Sequence, residues 1–205
     1  MSDTHGHHRD VKVPDGDVLI HAGDFCSRGR AHEIADFSNW LETLPHRNII
    51  VVCGNHDTLF EDDPVLARNF FYPERSGVHL LQDSFIEIEG RMFWGSPWQP
   101  EFCGWAFNLP RGETLAKKWA LIPKQTDVLI THGPPYLIRD ELLDGSHVGD
   151  ADLGERLLDL GPRYHIFGHI HNGYGKMIRP GGFERTTFVN AAICDEEYKP
   201  INPPI

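Results

Sequence analysis

The sequence contains little cysteine and no long apolar run. Its four cysteines form no C-x-x-C pair, so their spacing supports neither a structural zinc site nor a disulfide framework. Reduced thiols in a cytoplasmic protein are the default interpretation. The apolar runs are far shorter than the roughly 20 residues that cross a bilayer, and the first residues lack the pattern of a signal peptide. We therefore expect a cytoplasmic chain with no membrane partner.

Positive charge is also scarce. The 19 Lys and Arg residues face 30 Asp and Glu residues, and the net charge is −11. An acidic surface repels a phosphate backbone, which argues against nucleic acid as a partner and disfavours a nuclease. Small phosphorylated substrates stay compatible, because bound cations reverse the local field. The length of 205 residues predicts one domain, 1–205, and leaves the oligomeric state undetermined.

Short runs rich in Val and Ile each end abruptly in small and polar residues. Such runs, at 18–20, 49–53, 128–130 and 166–167, predict buried strands. Apolar residues at helical spacing predict helices at 34–44, 66–71, 114–121 and 153–160, and further strands are predicted at 85–89, 92–94 and 186–189. Strands that alternate with helices indicate an α/β fold. The irregular stretch 95–112 is long enough to suggest a functional loop.

Metal-ligand side chains follow these predicted strands. In open α/β sheets, functional groups gather at the carboxyl ends of the strands, and the matching positions here are Asp24, Asn55, His132, His169 and His171. Asp3 and His5 stand in the same kind of segment at the very start of the chain. Oxygen and imidazole ligands suit Mn, Fe, Zn or Ni. Seven side chains exceed the three or four that one catalytic zinc takes, so two ions are predicted, with a carboxylate such as Asp24 between them. Two ions about 3.5–4 Å apart can activate a shared hydroxide and neutralise a phosphoryl group.

The same motifs resemble a known family. Asp3-x-His5, Gly-Asp at 23–24, GNHD at 54–57, His132 and GHxH at 168–171 are similar to the motifs of the calcineurin-like metallophosphoesterase superfamily. Segments GSPWQP at 95–100, GWAFN at 104–108, FGHIHNGYG at 167–175 and NPPI at 202–205 resemble its metallophosphoesterase domain-containing branch. The resemblance covers essentially the whole chain.

The resemblance implies a fold, an activity and a division of the ligands. The fold is a four-layer α/β/β/α sandwich, and the activity is hydrolysis of phosphodiesters or phosphomonoesters, with cyclic nucleotides associated with this branch. One ion is expected at Asp3, His5, Asp24 and His171, and the other at Asp24, Asn55, His132 and His169, with Asp24 bridging. Only two residues precede Asp3, and the chain stops at Ile205. We therefore expect the usual first and last strands to be lacking and the segment of Asp3 and His5 to fray.

Three further residues are candidates for catalysis. His56 directly follows a predicted ligand and is predicted to be the general acid that protonates the leaving group. Asp57 either orients His56 or caps the next helix. Arg28 either grips a phosphate oxygen or is a solvated loop residue. Related protein Ser/Thr phosphatases carry an Asp where Ser27 stands, which argues against that subclass.

The aromatic loop has two interpretations. Trp98, Phe102, Trp105 and Phe107 can stack a nucleobase, with Asn108 and Gln99 reading its edge, or they can cover a sheet. Of the remaining histidines, His7 and His8 are candidates for the mouth of the site, and His21 is a candidate to support the ligands.

The activity also has an alternative. The first hypothesis is a metal-dependent phosphoric ester hydrolase that acts on a small phosphorylated substrate, with a nucleotide as one option. The second is a non-catalytic, metal-containing binding module on the same scaffold.

Overall fold

The computed structural model describes residues 1–71 and 77–205. The strands are β1 (Val18–His21), β2 (Asn48–Val51), β3 (Val78–Leu80), β4 (Ser84–Ile88), β5 (Arg91–Ser96), β6 (Gln99–Pro100), β7 (Asn108–Leu109), β8 (Val128–Thr131), β9 (Tyr164–Phe167), β10 (Gly175–Ile178) and β11 (Thr187–Asn190). The α-helices are α1 (Ala31–Glu42), α2 (Leu59–Asp62), α3 (Pro64–Phe70), α4 (Glu113–Trp119) and α5 (Ala151–Leu160). The predicted strands and helices are thus confirmed, whereas α2, β3, β6, β7 and β10 were not predicted.

Two sheets dominate the fold. The first has the order β1-β2-β3 and is parallel throughout. The second has the order β10-β11-β9-β8-β5-β4. Its inner strands β11, β9, β8 and β5 are parallel, and the edge strands β10 and β4 are antiparallel to their neighbours. The parallel strands therefore end at one edge of each sheet, where the polar motifs follow.

Alternation along the strands divides the apolar side chains among three cores. In β2, Ile49 and Val51 pack in the first core with the helices α1 to α3, whereas Ile50 faces the core between the two sheets. In β8, Ile130 faces that middle core and Leu129 packs in the third core with α4 and α5. This period of two is what a strand requires when both faces are covered. The order helices, sheet, sheet, helices is the four-layer α/β/β/α sandwich that the resemblance implies.

The N-terminal segment does not fray. The Met1 carbonyl accepts a hydrogen bond from Ala22 N–H (3.0 Å), and Asp3 N–H donates to the Gly23 carbonyl (2.9 Å). On its other side, Ser2 pairs with the backbone of residues 192–193. The expectation of fraying is wrong because this segment lies between the two sheets and satisfies hydrogen-bonding groups of both. Within residues 1–71 and 77–205, no named strand precedes β1 or follows β11.

The helices of the described residues are all too short or too polar to cross a membrane.

Candidate metal centre

The carboxyl ends of four strands deliver the predicted ligands to one place. Asp24 follows β1, Asn55 follows β2, His132 follows β8, and His169 and His171 follow β9; Asp3 and His5 arrive on the N-terminal segment. Ligand atoms within 4.8 Å of one another form three groups: Asp3, His5 and His171; Asp3, Asp24 and His132; and His5, Asp24 and His56. The His169 ring lies 5.0 Å from the His132 ring, centroid to centroid. The structure thus brings all seven predicted ligands together.

Backbone carbonyls fix the direction of two of the imidazoles. His132 Nδ1 donates to the Ala22 carbonyl (2.9 Å), so its Nε2 lone pair faces Asn55 Oδ1 at 3.0 Å and Asp24 Oδ2 at 3.4 Å. His171 Nδ1 donates to the Asp195 carbonyl (2.8 Å), so its Nε2 faces Asp3 Oδ1 at 3.5 Å and His5 Nε2 at 3.3 Å. Lone pairs that converge in this way repel one another unless a cation or proton lies among them. The donor set therefore fits divalent cations.

The electrostatics of the cluster support the same conclusion. Burial alone would lower the pKa of His132, but the neighbouring Asp24 carboxylate raises it to about 9. Burial likewise opposes protonation of His171, and its hydrogen bond with Asp3 raises the pKa to about 9. Burial would raise the pKa of the Asp3 and Asp24 carboxyls. The charges and hydrogen bonds of His132 and His171 nevertheless lower both pKa values below the usual range. The pocket thus draws positive charge to its two buried carboxylates.

The backbone is strained at four of the predicted ligands. Asp3, His5, Asp24 and His169 have φ values of 52°, 42°, 55° and 68°, in the left-handed region that side chains with a Cβ rarely adopt. Such strain persists only where surrounding structure imposes it, and it clusters at functional sites. The loop after β2 also packs tightly on the loop after β8, because a Cβ atom on Gly54 would lie only 2.6 Å from His132 Cε1.

His56 lies beside the cluster, and its ring has a defined orientation. Its Nδ1 donates to the Ser27 carbonyl (2.8 Å), and its backbone N–H donates to Asp24 Oδ1 (2.8 Å). Both readings of Asp57 are wrong: its carboxylate accepts N–H bonds from Gly54 (2.7 Å), Cys26 (2.9 Å) and Asp24 (3.0 Å). Asp57 therefore ties the loop after β1 to the loop after β2 and supports the ligands that these loops carry.

The aromatic loop divides into structural and exposed residues. Trp98 donates its indole N–H to Asp83 (2.9 Å) and packs on the fully buried Phe107, so neither is a substrate wall. Asn108 donates to the Phe102 carbonyl (2.8 Å) and accepts from Gln99 (3.2 Å). This pair holds the loop rather than reading a base edge, which corrects the prediction for Asn108 and Gln99.

Phe102 and Trp105 are the aromatics of this loop that lie beside the histidines of the cluster. Phe102 is 53% exposed and its ring lies 6.3 Å from that of His169. Trp105 stacks on His56, with ring centroids 4.2 Å apart and planes inclined by 23°. The guanidinium carbon of exposed Arg28 lies 6.0 Å from the Trp105 ring centre. Stacking on His56 uses one face of Trp105.

A cavity of about 260 Å³ opens over the cluster. Phe102, Leu142 and Val148 contribute apolar wall, and Arg111 fixes part of it by donating to the carbonyls of Gly149 (2.6 Å) and Val148 (2.5 Å). Four of the predicted ligands and His56 line the cavity: Asp24, Asn55, His169 and His171 are the four.

The histidines near the first ligand pair do not line the cavity. His8 is buried against Phe37 and bonds Asp36 at 3.0 Å, and His7 bonds Asp10 at 3.1 Å. The prediction that His7 and His8 line the mouth is therefore wrong. His21 bonds the hydroxyl of Thr4 at 3.0 Å and so supports the segment between the first two predicted ligands.

Sequence reasoning missed Tyr198, which lines the cavity and packs on the imidazoles of His5, His56 and His171. It also missed the carbonyls of Ser27 and Asp195. Main-chain acceptors leave no trace in a residue pattern, and Tyr198 stands in a polar segment without apolar periodicity.

Comparisons with known proteins agree with the motifs. A model of the calcineurin-like phosphoesterase family matches residues 1–173. The chain is 42% identical over 226 aligned residues to human metallophosphoesterase domain-containing protein 1, with 100% of this chain and 68% of that protein covered. It is 36% identical to a UPF0046 protein of Caenorhabditis elegans, with coverage of 98% and 57%. TT1561 of Thermus thermophilus superposes with a TM-score of 0.58 at 16% identity, covering 86% of this chain and 77% of its own, a likeness of fold alone.

Proposed function

Because the chain belongs to the calcineurin-like phosphoesterase family, we propose that it hydrolyses phosphate esters at the cluster above, with small phosphodiesters as its main substrates. The observation that carries the proposal is the convergence of ligand atoms within 4.8 Å of one another.

We assign the seven ligands to two divalent ions. Asp3, His5 and His171 would hold one ion, and Asn55, His132 and His169 the other, with Asp24 between them. When bound, such ions lower the pKa of a water molecule and neutralise charge on the phosphoryl group. The protein fixes its ligands beforehand through the carbonyls of residues 22 and 195, so little ordering remains when cations enter.

His56 is proposed as the general acid. Because Nδ1 donates to the Ser27 carbonyl, Nε2 is the atom that can carry a proton to a leaving group. His56 is only 8% exposed yet borders the cavity, so it can touch a bound ester while being shielded from bulk water. The Trp105 ring stacks on the His56 imidazole and helps to fix its orientation. A phosphate contact by Arg28 at the mouth completes the proposed set.

The cavity favours small substrates over nucleic acid. Its volume of about 260 Å³ suits one phosphoryl group with a compact remainder. A cyclic nucleotide is one such diester, and Phe102, which lines the cavity, offers an aromatic surface for its base. The net charge of −11 opposes a polyanionic strand.

Metal content and turnover together test the proposal. Purified protein is expected to bind two equivalents of Mn²⁺ and to hydrolyse bis-p-nitrophenyl phosphate and at least one cyclic nucleotide. His169→Ala is the matched variant and is expected to lose metal and turnover together. Two bound ions without turnover of any diester or monoester would favour the binding module. A chain that binds no metal would contradict both the hydrolase and the binding module.

A further inference from the structure

A tight turn at residues 195–199 carries Tyr198 over the metal centre. Asp195 Oδ1 accepts N–H bonds from Glu197 and Lys199 (both 2.9 Å), and the Asp195 carbonyl accepts from Tyr198 N–H (2.9 Å). These bonds hold Tyr198 at a φ of 60°, a left-handed conformation that costs a residue with a Cβ about 1 kcal/mol or more.

Core packing does not account for this conformation. Tyr198 is 46% exposed, so half of its surface gains nothing from burial. Its ring is instead directed at the centre. It meets the His5 ring edge-on, with centroids 4.7 Å apart and planes at 89°, and the His171 ring at 5.7 Å and 87°.

The same peptide group serves both His171 and Tyr198. The Asp195 carbonyl that accepts the Tyr198 N–H also accepts the Nδ1 proton of His171 (2.8 Å). The turn therefore sets the direction of His171 from one side while the Tyr198 ring packs on it from another. His5 Nδ1 has no hydrogen-bond partner among the described residues. No carbonyl therefore fixes the orientation of His5 as the Asp195 carbonyl fixes that of His171, and ring contacts contribute to it.

We propose that Tyr198 is a positioning residue for the half of the metal centre formed by Asp3, His5 and His171. Its ring holds the two imidazoles at the angle that directs their Nε2 atoms to a shared ion, and it closes that side of the cavity. The contact is made by the ring, so the hydroxyl is dispensable. This inference rests on the proposed function, because it assumes that this half of the cluster binds an ion.

Calorimetric titration with Mn²⁺ alone tests the inference without any measurement of turnover. Tyr198→Gly removes the ring and suits the left-handed backbone, so the turn is expected to persist. We expect one of the two ions to bind about 10-fold more weakly while the other keeps its wild-type affinity. Tyr198→Phe keeps the ring and is expected to bind both ions within 2-fold of wild type. Tyr136→Ala is the control, because Tyr136 is 43% exposed and contacts His147, away from the centre; it is expected to match wild type.

The outcomes separate the two proposals. Equal binding of both ions by Tyr198→Gly and wild type would overturn the positioning role and leave the proposed function intact. Equal weakening in Tyr198→Phe and Tyr198→Gly would overturn it as well, because the hydroxyl would then carry the effect. A wild-type chain that takes up no Mn²⁺ would overturn the proposed function and this inference with it.

Discussion

Replacing Gly168 with alanine tests how closely the loop after β9 approaches the N-terminal segment. A Cβ atom at this position would meet the Asp3 carboxylate and the Ser2 hydroxyl and would lie 2.6 Å from Ser2 Cβ. Non-bonded carbon atoms rest about 3.5–4.0 Å apart. The segment that carries Ser2 and Asp3 therefore has to move by roughly 1 Å, since these positions are buried and have no room to absorb the methyl group.

Two effects of Gly168→Ala follow from that displacement. Overpacking of a buried site lowers the free energy of unfolding by about 1–3 kcal/mol. Because Asp3 is a proposed ligand, we also expect the affinity for one of two Mn²⁺ ions to fall at least about 10-fold. Urea denaturation followed by tryptophan fluorescence measures the first effect, and calorimetric titration with Mn²⁺ measures the second.

Gly154 provides the control. It lies inside α5, and a Cβ atom added there meets nothing within 4 Å. Gly154→Ala is expected to raise the free energy of unfolding by up to about 1 kcal/mol, through helix propensity, and to leave Mn²⁺ binding unchanged. The reasoning would be refuted by a Gly168→Ala variant as stable as wild type that binds both ions with wild-type affinity.

Four further substitutions probe other parts of the account. His56→Asn is expected to keep both metals and to slow esters with poor leaving groups by roughly 10²–10⁴-fold; equal losses for p-nitrophenyl and alkyl esters would argue against an acid. Trp105→Leu removes the ring that stacks on His56 and helps to orient it, and is expected to slow the same esters about 10-fold at unchanged metal content; an unchanged rate would contradict this positioning role. Trp98→Phe loses the donor to Asp83 and is expected to cost about 1 kcal/mol of stability without changing KM, whereas a raised KM would restore its role as a substrate wall. Burial lowers the pKa of His165 from 6.5 to about 3, so between those values the unfolded chain takes up a proton that the folded chain excludes, and stability falls as the pH falls. His165→Gln is expected to lose about 2 kcal/mol less than wild type between pH 7 and pH 5 in urea unfolding, and identical losses would count against it.

Residue patterns predict that most of the candidate ligands lie together, because five of the seven follow buried strands. The apolar runs at 18–20, 49–53 and 128–130 precede Asp24, Asn55 and His132, and parallel strands have to end at one edge of a sheet. The succession of strands along the chain and the polar side chains that follow them can therefore be predicted from the sequence.

Contacts between residues that are far apart in the sequence cannot be predicted in the same way. The sequence alone does not distinguish Trp98, which bonds Asp83, from Phe102, which stays exposed, because both stand in one irregular aromatic segment. Tyr198 contacts His5 although the two residues lie near opposite ends of the sequence. Asp57 satisfies backbone N–H groups of two loops rather than the neighbouring His56 ring, and only the tertiary structure brings those groups together.

Anomalous diffraction from crystals soaked in Mn²⁺ tests the central claim most directly. We expect two peaks about 3.5–4 Å apart. The first is expected among Asp3, His5 and His171 and the second among Asn55, His132 and His169, with the Asp24 carboxylate between them. A single peak, or peaks outside this cluster, would contradict it.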